Sequence, residues 1–325
     1  MPIVMKTKII FSITFILVPA FLFFLSLSSC NKNSDYNNNN NDGGGSSADT
    51  TSMADVTTDD EEVKSASEES MMDANTVMTS KTTKSTELLP CNMTVDSSLV
   101  VGDTITYVLT YSGFNCANTL NRSGQVLVKR NIHTSWVTAG TTVAVIMNNF
   151  EVTNPIYGDP FILNGRTTLQ NVSGGRIGQV GNGITSVTHR DMGAVAVTFS
   201  NGNIYTWHFA RQRVFSGTQG MLRMRSSGFG SQDGYTGLIT WGTTRMGRLF
   251  YEQITDYVEH WENCNYHGAA GKESITLPGL VTKINATYGF DSNHQPLTGS
   301  ECPESLRIDW TLGSLAGSFF LDLYQ

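Results

Sequence analysis

Asn201-Gly202 stands between two runs that alternate apolar and polar residues, Ala194–Phe199 and Ile204–Phe209. Such a pair between alternating runs is the strongest short-range sign of an antiparallel hairpin, because a two-residue turn follows the strand twist when φ is positive at both positions. The sequence around it has the same texture. Of 31 glycines, 28 lie from Cys91 onward, and Thr, Val and Ile fill the stretches between them. Period-2 runs predict further strands at Thr104–Tyr111, Gln125–Asn131, Thr142–Val152, Arg166–Val172, Met221–Ser227, Gly237–Thr244 and Leu249–Thr255. Others are expected at Tyr257–Asn263, Leu280–Tyr288, Leu306–Leu312 and Ser318–Tyr324. No segment reads as a long amphipathic helix. Short Gly/Asn/Asp turns favour a meander over βαβ units. The expectation is an all-β domain over residues 90–325, a long antiparallel meander, sandwich-like or open-barrel, in one unit or two similar halves.

The first thirty residues differ from the rest. Lys6 and Lys8 precede an apolar run from Ile9 to Leu25, and Leu27-Ser28-Ser29-Cys30 follows. Basic start, apolar middle and small residues before a cut site describe a secretory signal peptide over residues 1–29. As a helix the apolar run would span about 26 Å, short of a bilayer core of about 30 Å. The four residues ending in Cys30 resemble the lipobox of bacterial lipoproteins. That resemblance implies cleavage before Cys30, lipid on its thiol, and membrane attachment through it. Two or more acyl chains hold stably where one is marginal. Asn31 in place of aspartate favours the outer membrane, so the expected place is the cell envelope, periplasmic or surface-exposed.

Residues 30–89 form a second zone. An Asn run at 37–41 leads into Gly43-Gly44-Gly45 and then Ser/Thr-rich acidic sequence. With so little apolar surface it reads as a disordered tether. Residues 31–89 hold twelve Asp/Glu and four Lys, whereas residues 90–325 hold sixteen acids and fifteen Lys/Arg. The acidity therefore lies in the tether, and a near-neutral domain argues against a nucleic-acid partner.

Besides Cys30 there are Cys91, Cys116, Cys264 and Cys302. An even number in an exported chain points to two disulfides. Leu109-Thr-Tyr-Ser-Gly-Phe114 echoes Ala286-Thr-Tyr-Gly-Phe290, each between two cysteines, which favours Cys91–Cys116 with Cys264–Cys302. The rival scheme, Cys91–Cys302 with Cys116–Cys264, would staple the two ends of a closed barrel.

Catalytic constellations do not stand out, and no cofactor is implied. His260, Glu262 and His267 near Cys264 are the best metal candidates, but polar residues on a solvated strand face are the plainer reading. Asp309 and Asp322 would suit glycoside cleavage only if they met. Tyr205, Trp207, Phe209 and Arg211 share one strand face, with Arg213 extending it. This stripe is the candidate ligand site, for a glycan or lipid headgroup, with core packing as the default.

Three further features carry a second resemblance. Cys116 and a polar loop lead into Arg122-Ser123-Gly124-Gln125-Val126; the Val197–Trp207 hairpin follows; and Cys264 and Cys302 bracket the final part. In these the domain resembles uncharacterised secreted Gram-negative lipoproteins, a resemblance that implies long antiparallel strands and no activity. The function expected is a membrane-anchored envelope protein with a binding or structural role and an unknown ligand or partner. The alternatives are a carbohydrate-binding or carbohydrate-active protein and a hydrophobic-ligand carrier.

Overall fold

The computed structural model describes residues 47–79, 89–155, 158–264, 266–279 and 282–323. The expected signal peptide, Cys30 and the flanks of the acidic segment lie outside the described residues. Among the described residues one α-helix, α1 (Ser47–Thr79), precedes fifteen strands. These are β1 (Met93–Val101), β2 (Thr104–Phe114), β3 (Asn121–Asn131), β4 (Thr141–Thr153), β5 (Phe161–Asn171), β6 (Ser186–Thr198), β7 (Ile204–Thr218) and β8 (Met221–Gly228). Then come β9 (Gly230–Gln232), β10 (Tyr235–Thr243), β11 (Leu249–Trp261), β12 (His267–Leu277), β13 (Thr282–Phe290), β14 (Ser305–Leu312) and β15 (Leu315–Asp322).

All fifteen strands belong to one antiparallel sheet, and neighbours follow chain order almost throughout. The fold is all-β in its domain, as the alternation predicts, and it is one sheet rather than two halves. One row is shared. β8 lies along the later half of β7 (Val214↔Arg225) and β10 along its earlier half (Trp241↔His208). Both pair on their other side with β11, and β9 folds back on β10. Among the described residues no ladder joins β1 to β15.

The hairpin at Asn201-Gly202 forms, with a different turn. Gly202 alone takes a positive φ, +81°. The Gly202 N–H donates to the Phe199 carbonyl and the Phe199 N–H to the Asn203 carbonyl, both at 2.9 Å. This is a three-residue loop closed by a left-handed glycine, so positive φ is needed at one residue rather than two. Leu249–Thr255 and Tyr257–Asn263 merge into the single strand β11, and β1, β9 and β12 were not foreseen.

The larger correction is α1. Its 33 residues fall inside the segment that composition assigns to a disordered tether. α1 buries residues around nearly its whole circumference, including Met53, Val56, Val63, Ala66, Ala74 and Val77 and also Asp59, Asp60, Glu62, Lys64, Ser67 and Asp73. The apolar residues join those of β2 to β15 in one core with Leu109, Val128, Leu163, Trp207, Phe209, Ile284 and Trp310. Full burial contributes roughly 1.5–3 kcal/mol for a Val or Met side chain. Hydroxyls are satisfied locally: Thr57 donates to the Met53 carbonyl and Ser70 to that of Ala66, both at 2.9 Å. The expectation failed because it allowed only apolar burial to order a segment, whereas here charged partners from the sheet supply the rest.

Strand alternation fixes the orientation. The β6–β7 and β10–β11 turns stand at one end of the sheet, where the Ser52 hydroxyl lies 3.6 Å from the Met246 sulfur. The β1–β2 and β3–β4 turns stand at the other, where Trp136 donates to Asn75 at 3.0 Å. α1 thus starts beside the β10–β11 turn, and its later turns reach Asn115 and Arg122 by the β2–β3 turn as well as Trp136 in the β3–β4 turn.

Candidate functional site

The inner face of the sheet carries cations at positions where alternation calls for apolar side chains. Arg122 begins the inward row of β3 that continues to Val126 and Val128; Arg211 and Arg213 follow Trp207 and Phe209 on β7. Each meets α1. Arg122 bonds Asp73 at 2.9 Å and Glu69 at 3.2 Å, and also the Cys91 carbonyl. Arg211 donates to the Ser67 hydroxyl at 2.8 Å and to Asp191 of β6 at 2.9 Å. Arg213 pairs with Glu68 and with Asp191. Arg245, in the β10–β11 turn, holds Asp59 through its Nε at 2.8 Å and Asp159 at 2.9 Å.

Polarity reverses around Lys64, the lone cation of α1. Its Nζ lies 2.6 Å from Glu252 of β11 and 2.6 Å from Glu273 of β12. Asp60 and Glu61 of its own helix stand at 2.9 and 3.0 Å. Asp60, Glu252 and Glu273 have the mutual spacing of a metal-ligand set. The ammonium occupies the place such an ion would take, so the trio reads as a lysine socket. Tyr288 of β13 donates to Glu61 at 2.6 Å and to Glu273 at 2.8 Å, and Tyr111 of β2 donates to Asp73 at 3.0 Å. The tyrosines of the two echoing strings therefore converge on the same helix.

Burial decides the protonation of these groups. It raises the Glu62 carboxyl to about 8, with neighbouring Asp59 adding to the effect. It raises Glu69 to about 7 despite Arg122, and Asp59 and Asp60 to about 6 despite Arg245 and Lys64. Glu252 lies well above the carboxylate range for the same reason. Glu68 goes the other way. Burial would raise it, but Arg213, His260 and Arg211 hold it at about 2. Beside α1 is a cavity of about 300 Å³ whose walls include Glu61, Glu68, Tyr266, His267, Glu273 and Tyr288.

The predicted ligand stripe points inward. Trp207 donates its indole N–H to the Thr243 carbonyl at 2.8 Å and packs 4.7 Å from the Phe250 ring. The Arg211 guanidinium lies 4.5 Å over the Phe209 ring, and Tyr205 packs against the core. Trp207, Phe209 and Arg211 are buried, Arg211 against Ser67 of α1, and Tyr205 is half-buried. His260, Glu262 and His267 do not converge as ligands. The Nδ1 of His260 lies 3.0 Å from the Tyr266 carbonyl, Glu262 accepts the Leu222 N–H at 2.9 Å, and Cys264 is bonded to Cys302. Asp309 and Asp322 are also separate: Asp322 is opposite Ser305, four residues along β14 from Asp309, roughly 13 Å away. The disulfides are Cys91–Cys116 and Cys264–Cys302, the local pairing.

Arg122, Arg245, Lys64, Glu252 and Glu273 escaped the reading of the sequence. A signal was present. Arginines in the inward phase of a strand demand buried acids, and residues 46–89 are acidic and free of Gly and Pro. Comparison with protein-family models, curated proteins and solved structures finds no match for this chain.

Proposed function

We propose that this chain is a membrane-anchored cell-envelope lipoprotein whose sheet domain has a binding or structural role, held to the membrane by lipid on Cys30. The lipobox-like Leu27-Ser28-Ser29-Cys30 supports the anchor, and two disulfides fit an oxidising compartment. The observation that carries the reading is α1 inside the sheet. Ser47 stands seventeen positions after Cys30, a reach of at most about 56–61 Å. A segment ordered only from Leu89 onward would allow about 200 Å. Gripping α1 therefore keeps the domain close to its anchor, as a body that works at the membrane would need. The interior is charged and filled by α1, which gives no support to a carrier with an open apolar chamber.

The test is labelling with radioactive palmitate in a Gram-negative host, followed by membrane fractionation. Wild type should take up label and sediment with the membrane, and Cys30→Ala should take up none. A wild-type chain that takes up no label, or a Cys30→Ala protein that takes it up, would overturn the reading.

A further inference from the structure

We infer that the end of the sheet where α1 enters is a lipid-docking face, formed by Ile204, Met246 and Leu249 with Arg248 and directed at an anionic bilayer. The inference rests on the anchored reading and adds which surface meets the membrane. Ile204 is 63% exposed, Leu249 54% and Met246 41%. Large apolar side chains this open at turn tips have no packing role in the domain. They are neighbours in space. β7 pairs with β10 through Trp207↔Gly242, which places Ile204 beside the β10–β11 turn. The Asn203 amide donates to the Arg245 carbonyl at 3.3 Å across the same gap.

Two observations choose a bilayer as the occupant. The first is chain direction. Ser52 touches Met246 and Asp59 is held by Arg245, so α1 begins at this rim and the chain leads back from here to Cys30. A bilayer carrying the lipid on Cys30 lies within the reach of seventeen residues from this end. The second is charge. Arg245 is already engaged by Asp59 and Asp159, whereas Arg248 is exposed between Met246 and Leu249 and makes no ion pair among the described residues. An exposed cation flanked by apolar side chains matches an anionic headgroup layer over acyl chains.

The probe is vesicles of phosphatidylcholine with about one-third phosphatidylglycerol, a composition that supplies anionic surface charge. The full mature chain carrying Cys30→Ser, which has no thiol to acylate, should float with them. Ile204→Asp/Leu249→Asp should reduce the bound fraction roughly tenfold. Val100→Asp/Val101→Asp, at the exposed β1–β2 tip of the opposite end, should bind as the parent does. Thermal melts of both variants should match the parent, since all four positions are exposed. Failure of the parent to float, or equal loss in both variants, would overturn the inference. So would a dimer that the Ile204/Leu249 variant dissociates without lipid binding, which would assign the face to a second copy. Palmitate labelling of Cys30 reads the anchor independently, so the two ideas fail separately.

Discussion

Lys64 of α1 and Glu273 of β12 meet at 2.6 Å although 209 residues separate them in the chain. With Glu252, Asp60 and Glu61 around the same ammonium, one cation offsets four carboxylates in a buried site. Removing it leaves those charges uncompensated. Lys64→Met should cost about 3–5 kcal/mol in urea unfolding. Glu252→Gln should cost less, because burial pushes that carboxyl up toward its neutral form and Asp60, Glu61 and Glu273 still hold the ammonium. A Lys64→Met protein within 1 kcal/mol of wild type, on the ~1 kcal/mol scale typical of surface pairs, would show the socket to be solvated.

Stability should fall as pH rises from about 6.5 to 8. Burial lowers His189 to about 4 and His267 to about 3, and because unfolded histidine loses its proton near 6.5 their opposing contribution fades within this window. Glu62 at about 8 and Glu69 at about 7 still bind protons when folded, whereas their unfolded forms lost them near 4.5. The folded state is then the more protonated one, and raising pH removes its advantage. Melting temperatures taken at half-unit steps should decline across the window, and Glu62→Gln should flatten the decline. A rising curve would contradict the charge placement.

A chain starting at Leu89 should lose cooperative unfolding. It would leave Arg122, Arg211, Arg213 and Arg245 facing an emptied interior. A synthetic peptide of residues 47–79 added to it should restore a melting transition. Should the shortened chain melt within a few degrees of the mature one, α1 would be dispensable and the interior self-sufficient.

Reduction of the two disulfides should lower stability by different amounts. They close spans of 25 and 38 residues, worth about 3.5 and 4 kcal/mol through restriction of the unfolded chain. Cys91→Ala/Cys116→Ala and Cys264→Ala/Cys302→Ala, melted side by side, give each value.

Much of the sheet was legible because period-2 alternation is local. Val126, Val128, Val143 and Val145 each announce an inward face without reference to any other strand. β12 was not, since His267-Gly268-Ala269-Ala270-Gly271-Lys272 offers no β-branched residue and its inward Glu273 looks like a surface charge. α1 was hidden for a related reason. A helix buried on all sides by matched charges has no single apolar face for a 3.6-residue period to reveal. The stripe from Tyr205 to Arg211 was placed correctly on one face, but a sequence cannot say that what the face meets is a segment 144 residues earlier.

The burial of α1 also sets an order of events. During synthesis the amino-terminal helix segment emerges before the strands that hold it. Glu61 must wait for Tyr288, 227 residues behind, and Lys64 for Glu273. Until then an acidic, Gly- and Pro-free segment has little to keep it helical. Closure over such separations is slow, so the nascent chain passes through an interval in which its inward arginines are wet and its sheet is unfilled. Whatever chaperone meets the new chain meets that open form, and the insertion of α1 ends the exposure.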